Sequence, residues 1–216
     1  MKQTLTIEIP TSWRDITLDT YLKMQTELEN YRDDEEAQIA IMLLHLCKIQ
    51  PEYLKGLSAD SYNLLKIKLQ QFVSPEGIEL ERFITIDGVE YGFEPNLSKI
   101  AYGAYADITQ WDTIRIDKNW AKIMSILYRP VIKKKGDKYQ IESYTGEIKE
   151  DLFMNIDMQT HWGTLFFFLN LQMDLLNATQ KYLKGMELPP NIKLTLEKSG
   201  EVMQRLLNLQ TVTLKK

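Results

Sequence analysis

Reactive side chains are few and scattered along this chain. It holds two histidines, His45 and His161, and one cysteine, Cys47. His45 and Cys47 stand two residues apart, a spacing that turns them to different faces of a helix. They do not supply a zinc site, which takes three or four protein ligands. A Cys–His nucleophile pair is formally available. However, Cys47 closes the apolar run IAIMLLHLC, so the sequence predicts a buried structural thiol. Carboxylates are plentiful. Asp33, Asp34, Glu35 and Glu36 form a run that reads as the charged start of a helix, where the dipole favours acids. Asp107 and Asp112 flank Gln110-Trp111 in an expected loop, at the end of a segment, 96–111, that reads as a helix or a tight loop. A glycosidase works with two such acids, but sequence spacing does not set their distance in space. No phosphate-binding loop, dinucleotide fingerprint or G-x-S-x-G elbow occurs. The residues therefore point to no catalytic site, no cofactor and no metal.

The one basic cluster is Lys133, Lys134 and Lys135, with Lys138 beyond a turn and Tyr139 and Tyr144 nearby. Lysine for phosphate and tyrosine for base stacking would suit single-stranded nucleic acid. A charged hairpin edge that resists strand-to-strand aggregation uses the same residues. The overall charge favours the edge. Lys plus Arg is 26 against 30 for Asp plus Glu, a net −4, and a nucleic-acid binder needs a concentrated positive field. Arg129, in YRPV, ends an apolar helix just before Pro130. Its guanidinium is placed to pair with a carboxylate or with the last helix carbonyls, a structural role.

The elements that must position these groups follow from periodicity. Leu5, Ile7 and Ile9 alternate with polar residues and read as a strand ending at Pro10. Thr17 caps a helix with Asp19 in its first turn. A second helix follows over RDDEEAQIAIMLLHLCKI, a short third starts at Pro51, and a fourth is capped at Ser58. The texture changes at Ser74-Pro75-Glu76-Gly77, a turn signal. Two β-hairpins are predicted beyond it, one turning at Asp87-Gly88 and one at Gly136-Asp137. Between them a helix over 118–128 carries Trp120, Ile123, Met124 and Leu127 on its buried face, with Pro130 stopping it. A long helix spans about 158–184, and a last one, weakened by Gly200, covers 194–210. The pattern [IL]-[ST]-x3-Y recurs at Ile16 and Leu97, an echo that chance accounts for. The expected class is α+β: mainly α-helical, with two short β-hairpins and a long central C-terminal helix. Residues 1–75 form a helical part and 76–216 an α+β part, as two units or one continuous domain.

The long helix contains the most apolar stretch, HWGTLFFFLNLQMDLL, from His161 to Leu176. Asn170, Gln172 and Asp174 interrupt it, so no segment reaches the ~20 apolar residues of a membrane span, and a soluble chain is expected. The single cysteine excludes an internal disulfide and suits a reducing compartment. At helical spacing Trp162, Leu165, Phe166, Leu169, Met173 and Leu176 share one side, and Phe168, Leu171 and Leu175 an adjoining one. So wide a stripe belongs to a central helix or one with a spare face. The first side is expected to be core. Phe168, Leu171 and Leu175 are the expected partner-binding strip, and Gly163 is the place where a neighbouring backbone can come close.

The stretches IDGVEYGFEPNLSKIAYGAYADI, SILYRPV and the Phe-rich helix resemble small virion proteins of tailed bacteriophages, in particular the crAss-like, podovirus-type phages of Bacteroidetes. DITLDTYLKM is similar to the opening of phage assembly proteins. The matching parts cover roughly 84–183. The resemblance implies a non-enzymatic virion or assembly protein: a tail- or portal-associated component or packaged cargo. It would act through contacts with other phage structural proteins, as a homo-oligomer or a ring-forming, multi-copy assembly. Its location would be the virion, and the host cytoplasm during assembly. Two alternatives stay open: a tail assembly chaperone absent from the mature particle, and a small carboxylate-dependent enzyme. Membrane and nucleic-acid partners are not expected.

Overall fold

A computed structural model of the chain describes residues 7–70, 72, 75–110, 116–117 and 119–183. Within these limits the class is α+β. The chain divides into two compact units, one of residues 1–78 with 154–160 and the other of 79–153 with 161–216. The helix expected over 194–210 and the start of the expected N-terminal strand lie outside the described residues. Residues 7–10 carry no strand.

The first unit is built from capped helices. Helix α1, Leu18–Leu28, starts at Thr17, whose hydroxyl accepts from the Thr20 N–H at 3.3 Å. Helix α2, Glu35–Cys47, starts at Asp34, whose carboxylate accepts from the Ala37 N–H at 3.0 Å, so the acidic run is indeed helix-start dressing. A 3-10 turn, Pro51–Gly56, leads to α3, Ala59–Gln70, with the Ser58 hydroxyl accepting from the Ser61 N–H at 3.2 Å. Trp13 packs edge-on against Tyr21 and Phe72, with ring centroids at 6.1 and 5.4 Å. Residues 154–160 join this unit through the backbone. The Leu18 N–H donates to the Ile156 carbonyl at 3.0 Å and the Met158 N–H to the Ile16 carbonyl at 2.7 Å.

In the second unit, β1, Phe83–Ile86, and β2, Val89–Phe93, form the hairpin around Asp87-Gly88. Both turn residues have positive φ, 50° and 79°, which is what a two-residue hairpin loop of this hand demands. The segment 96–110 forms a 3-10 turn, Leu97–Lys99, and helix α4, Tyr102–Thr109, so Asp107, expected in a loop, lies in the helix. Ser98 bonds Asn96 and does not cap α4, so the sequence echo with Thr17 is not repeated in structure. Helix α5, Trp120–Leu127, passes directly into β3, Tyr128–Lys135. Pro130 disfavours helical backbone in the residue before it, which helps end α5 here. Strand β4, Lys138–Ile141, short helix α6, Glu150–Met154, and long helix α7, Met158–Leu183, follow.

The sheet order is β1-β2-β3-β4, all antiparallel. Strand β3 serves two partners in turn. Tyr128 to Pro130 pair with β2, then Val131 to Lys135 pair with β4, with a register break between Val131 and Lys133. A break of this kind bends a strand and lets it change direction. The second hairpin thereby lies against the first. The Tyr139 ring stands 4.6 Å from that of Phe83, and its hydroxyl donates to the Phe93 carbonyl at 2.5 Å. Gly92 permits the approach, since a Cβ there would lie 2.9 Å from the Tyr139 ring. Trp120, Ile123, Met124 and Leu127 are all buried, together with Tyr128 and Phe153, as their spacing predicts.

Gly163 sits where α7 crosses the backbone of residues 79 and 80. A Cβ built there would be 2.3 Å from the Glu79 carbonyl oxygen, an atom that cannot swing aside as a side-chain tip can. Gly163→Ala is therefore expected to destabilise the protein by about 1–3 kcal/mol through overpacking, although alanine is the better helix former. Denaturant unfolding of the two forms measures this. An unchanged or raised midpoint would contradict the close crossing.

Candidate functional site

The groups with chemical potential are used locally. His45 lies 3.1 Å from a Glu27 carboxylate oxygen in the first unit. Cys47 ends α2 half-buried rather than buried, as are Leu44, His45 and Leu46 in the same last turn. Burial still pushes its thiol upward, away from the thiolate that nucleophilic chemistry needs. His161 is fully buried, with Nε2 3.1 Å from the Phe153 carbonyl, so that nitrogen carries the proton and donates it. Asp107 accepts the Tyr144 hydroxyl. Asp112 and Trp111 lie outside the described residues. Arg129 pairs with Glu94, both side chains about nine-tenths buried (11 % and 10 % exposed). This is the carboxylate partner that its position before Pro130 allowed. Among the described residues no three His, Cys, Asp or Glu side chains converge as a metal site would require. No helix among them is long and apolar enough to cross a membrane.

Two surface features remain. The first is an open groove of about 870 Å³ in the second unit. Strand alternation divides the lysine run between two faces. Lys134 turns with its neighbour Tyr139 toward the first hairpin, 2.7 Å from Glu90 and 3.5 Å above the Phe83 ring centre. Lys133 and Lys135 point to the other face of β3 and line the groove with Lys138 and Arg82, and the Tyr139 side chain also borders it. These four cations form no ion pair or hydrogen bond among the described residues. Of the two acids lining the groove, Glu94 is taken by Arg129, which leaves Asp137. Leu80, Phe93, Phe167 and Leu171 supply an apolar wall.

The second feature is the outward face of α7, and here the sequence expectation needs correction. Phe168, assigned to an outer strip, is 6 % exposed and sits 6.3 Å from the Phe93 ring. Its neighbours on the inward side are His161, Thr164 and Ala178, all buried, with Leu171 and Leu175 half-buried at the margin. Trp162, Leu165, Phe166 and Leu169, expected as core, are only half-buried, and Met173 is 56 % exposed. Trp162 and Phe166 stack along this outer line, with centroids at 5.9 Å. Phe168 is thus inward, whereas Leu171 and Leu175 are half-buried like Trp162, Leu165, Phe166 and Leu169; the side chain of Leu176, also expected as core, lies outside the described residues. The physical reason is that the inner face includes two polar residues, His161 and Thr164, which hydrophobic spacing counts against burial. Their hydrogen bonds make that burial inexpensive. Compared with protein-family models, curated proteins and solved structures, the chain matches none.

Two measurements follow. Phe168→Asp buries an unpaired charge and is expected to cost at least about 3 kcal/mol, enough to unfold a marginal domain. Phe166→Asp leaves its charge in reach of water and should keep a cooperative melt. Circular dichroism melting of both variants tests the inward placement of Phe168, and equal loss of structure would contradict it. Separately, the Tyr144 phenol is pushed up to about 12, first by burial and then by its hydrogen bond to Asp107. An unfolded tyrosine ionises near pH 10. The stabilisation is therefore complete below about pH 10 and is lost as the pH rises through 12. Ultraviolet titration should show a late tyrosine that Tyr144→Phe removes, leaving that of Tyr21, which burial also pushes up to about 12.

Proposed function

We propose that this chain is a non-enzymatic protein of a tailed-phage particle or of its assembly pathway, and that it works by binding other proteins. The observation that carries the binding role is the outer line of α7. Trp162, Leu165, Phe166, Leu169 and Met173 recur at helical spacing on the side away from the buried face, half-buried or exposed. An apolar stripe of aromatic, leucine and methionine side chains is the composition of a protein interface centre. Helices that present such a stripe dock into grooves or against equivalent helices. The phage context is supported by the resemblance of SILYRPV and the Phe-rich helix to virion proteins. Under this reading the partners are other phage structural proteins or further copies of the chain. The location is the virion, and the host cytoplasm while particles assemble.

Mass spectrometry of purified particles, with stoichiometry against the major capsid protein, tests the reading. The wild-type chain is expected to persist in particles in several copies. Phe166→Asp and Met173→Asp, which leave the inner face intact, are expected to reduce its incorporation at least about tenfold, because charge at an interface centre is left unpaired. A chain that binds tail proteins in infected cells but is missing from particles would be an assembly chaperone. Normal incorporation of both variants would remove α7 from the interface.

A further inference from the structure

We infer that the groove beside the second hairpin binds an acidic segment of a partner protein, one that carries apolar side chains between its carboxylates. This rests on the reading of the chain as a protein-binding protein but uses a surface other than the α7 stripe. The charge balance is the first argument. Arg82, Lys133, Lys135 and Lys138 face the groove without a partner among the described residues, against Asp137 alone once Glu94 is committed to Arg129. The chain as a whole is at −4, so this positive patch is a local departure from the net charge. Such a departure steers an anionic segment to one place and gives register more than raw affinity.

The apolar wall is the second argument, and it separates a peptide from a nucleic acid. Single-stranded nucleic acid needs aromatic faces open for stacking. The Tyr139 ring is set edge-to-face on Phe83 and against Gly92, and its hydroxyl is held by the Phe93 carbonyl. Phe167 is packed edge-on to Phe93 and Phe168, both at 5.4 Å. What the wall offers is the half-buried side chains of Leu80 and Leu171, a seat for an aliphatic or aromatic side chain. The rim then holds carboxylates, in the apolar-centre, polar-rim arrangement of protein contacts.

The test uses the full chain and three fluorescent probes: a short peptide alternating Glu with Leu, its Gln-for-Glu counterpart, and an oligothymidylate of equal length. The acidic peptide is expected to bind, more weakly as salt rises. Lys133→Gln/Lys135→Gln/Lys138→Gln is expected to weaken it about tenfold with the fold unchanged. Leu171→Ala, which removes the apolar seat and leaves the charges, should weaken it several-fold. Equal binding of the Gln peptide, an unchanged affinity in the triple variant, tighter binding of the oligothymidylate, or no peptide binding at all would each overturn the inference. Phe166→Asp separates this from the proposed function. It should leave peptide binding intact, so that binding without an effect on particle incorporation counts against the α7 interface and not against the groove.

Discussion

The second unit depends on satisfying one buried hydroxyl. Tyr128 is the first residue of β3 and is fully enclosed. Its phenol donates to the Glu81 carbonyl at 2.6 Å and lies 3.2 Å from the Thr164 hydroxyl. A phenol has one proton, so the Thr164 hydroxyl must be the donor in the second bond. A buried hydroxyl without partners would cost a few kcal/mol. Meeting that need ties three parts of the chain together: the strand entering the sheet, the segment leading into β1, and the start of α7. The aromatic packing of Phe93 and Phe153 around the Tyr128 ring adds apolar burial to the same junction.

That junction sets the rotation of α7. With Thr164 bonded to Tyr128 and His161 to Phe153, the helix face carrying both must point inward. Gly163, between them, lets the helix come down onto the Glu79 carbonyl, where any side chain would hold it off. Phe168, one turn beyond Thr164, is carried into the core by the same rotation. Trp162, Phe166 and Leu169 are carried outward, although they are the more apolar set. The surface proposed for assembly is therefore a consequence of polar satisfaction in the core.

The groove arises from a different constraint, the break in β3 between Val131 and Lys133. It turns the second hairpin onto the first, with Gly92 clearing space for Tyr139. Once the hairpin is folded over, the alternation of a strand separates a lysine run into two uses. Lys134 is absorbed into contacts with Glu90 and Phe83, and Lys133 and Lys135 are delivered to an open face. The buried Arg129–Glu94 pair removes a carboxylate from that face and so sharpens its positive charge. Such a pair contributes little net stability after desolvation, and its effect here is on the electrostatics of the groove.

Much of the fold was legible in the sequence because it is local. Thr17, Asp34 and Ser58 cap helices as short polar side chains at those positions must, and Asp87-Gly88 specifies a tight hairpin through the positive φ it tolerates. The burial of Trp120, Ile123, Met124 and Leu127 follows from helical period alone. Gly163 announced a close crossing, though not what it crosses. Other features were not legible, because each depends on atoms distant in sequence. Nothing in residues 161–168 states that Tyr128 and Phe153 will receive Thr164 and His161, so apolar spacing placed Phe168 on the outside. The groove needed Arg82, Lys133 and Leu171 to meet, which no periodicity predicts. The join of residues 154–160 to the first unit, through Ile16 and Leu18, is likewise a pairing across more than half the chain. The sequence by itself determined most of the helices and both hairpins, through side chains acting on their own backbone, but neither α6 nor the lack of a strand at 7–10. Only the tertiary structure decided which faces are inside, because that depends on which distant partners satisfy the buried polar groups.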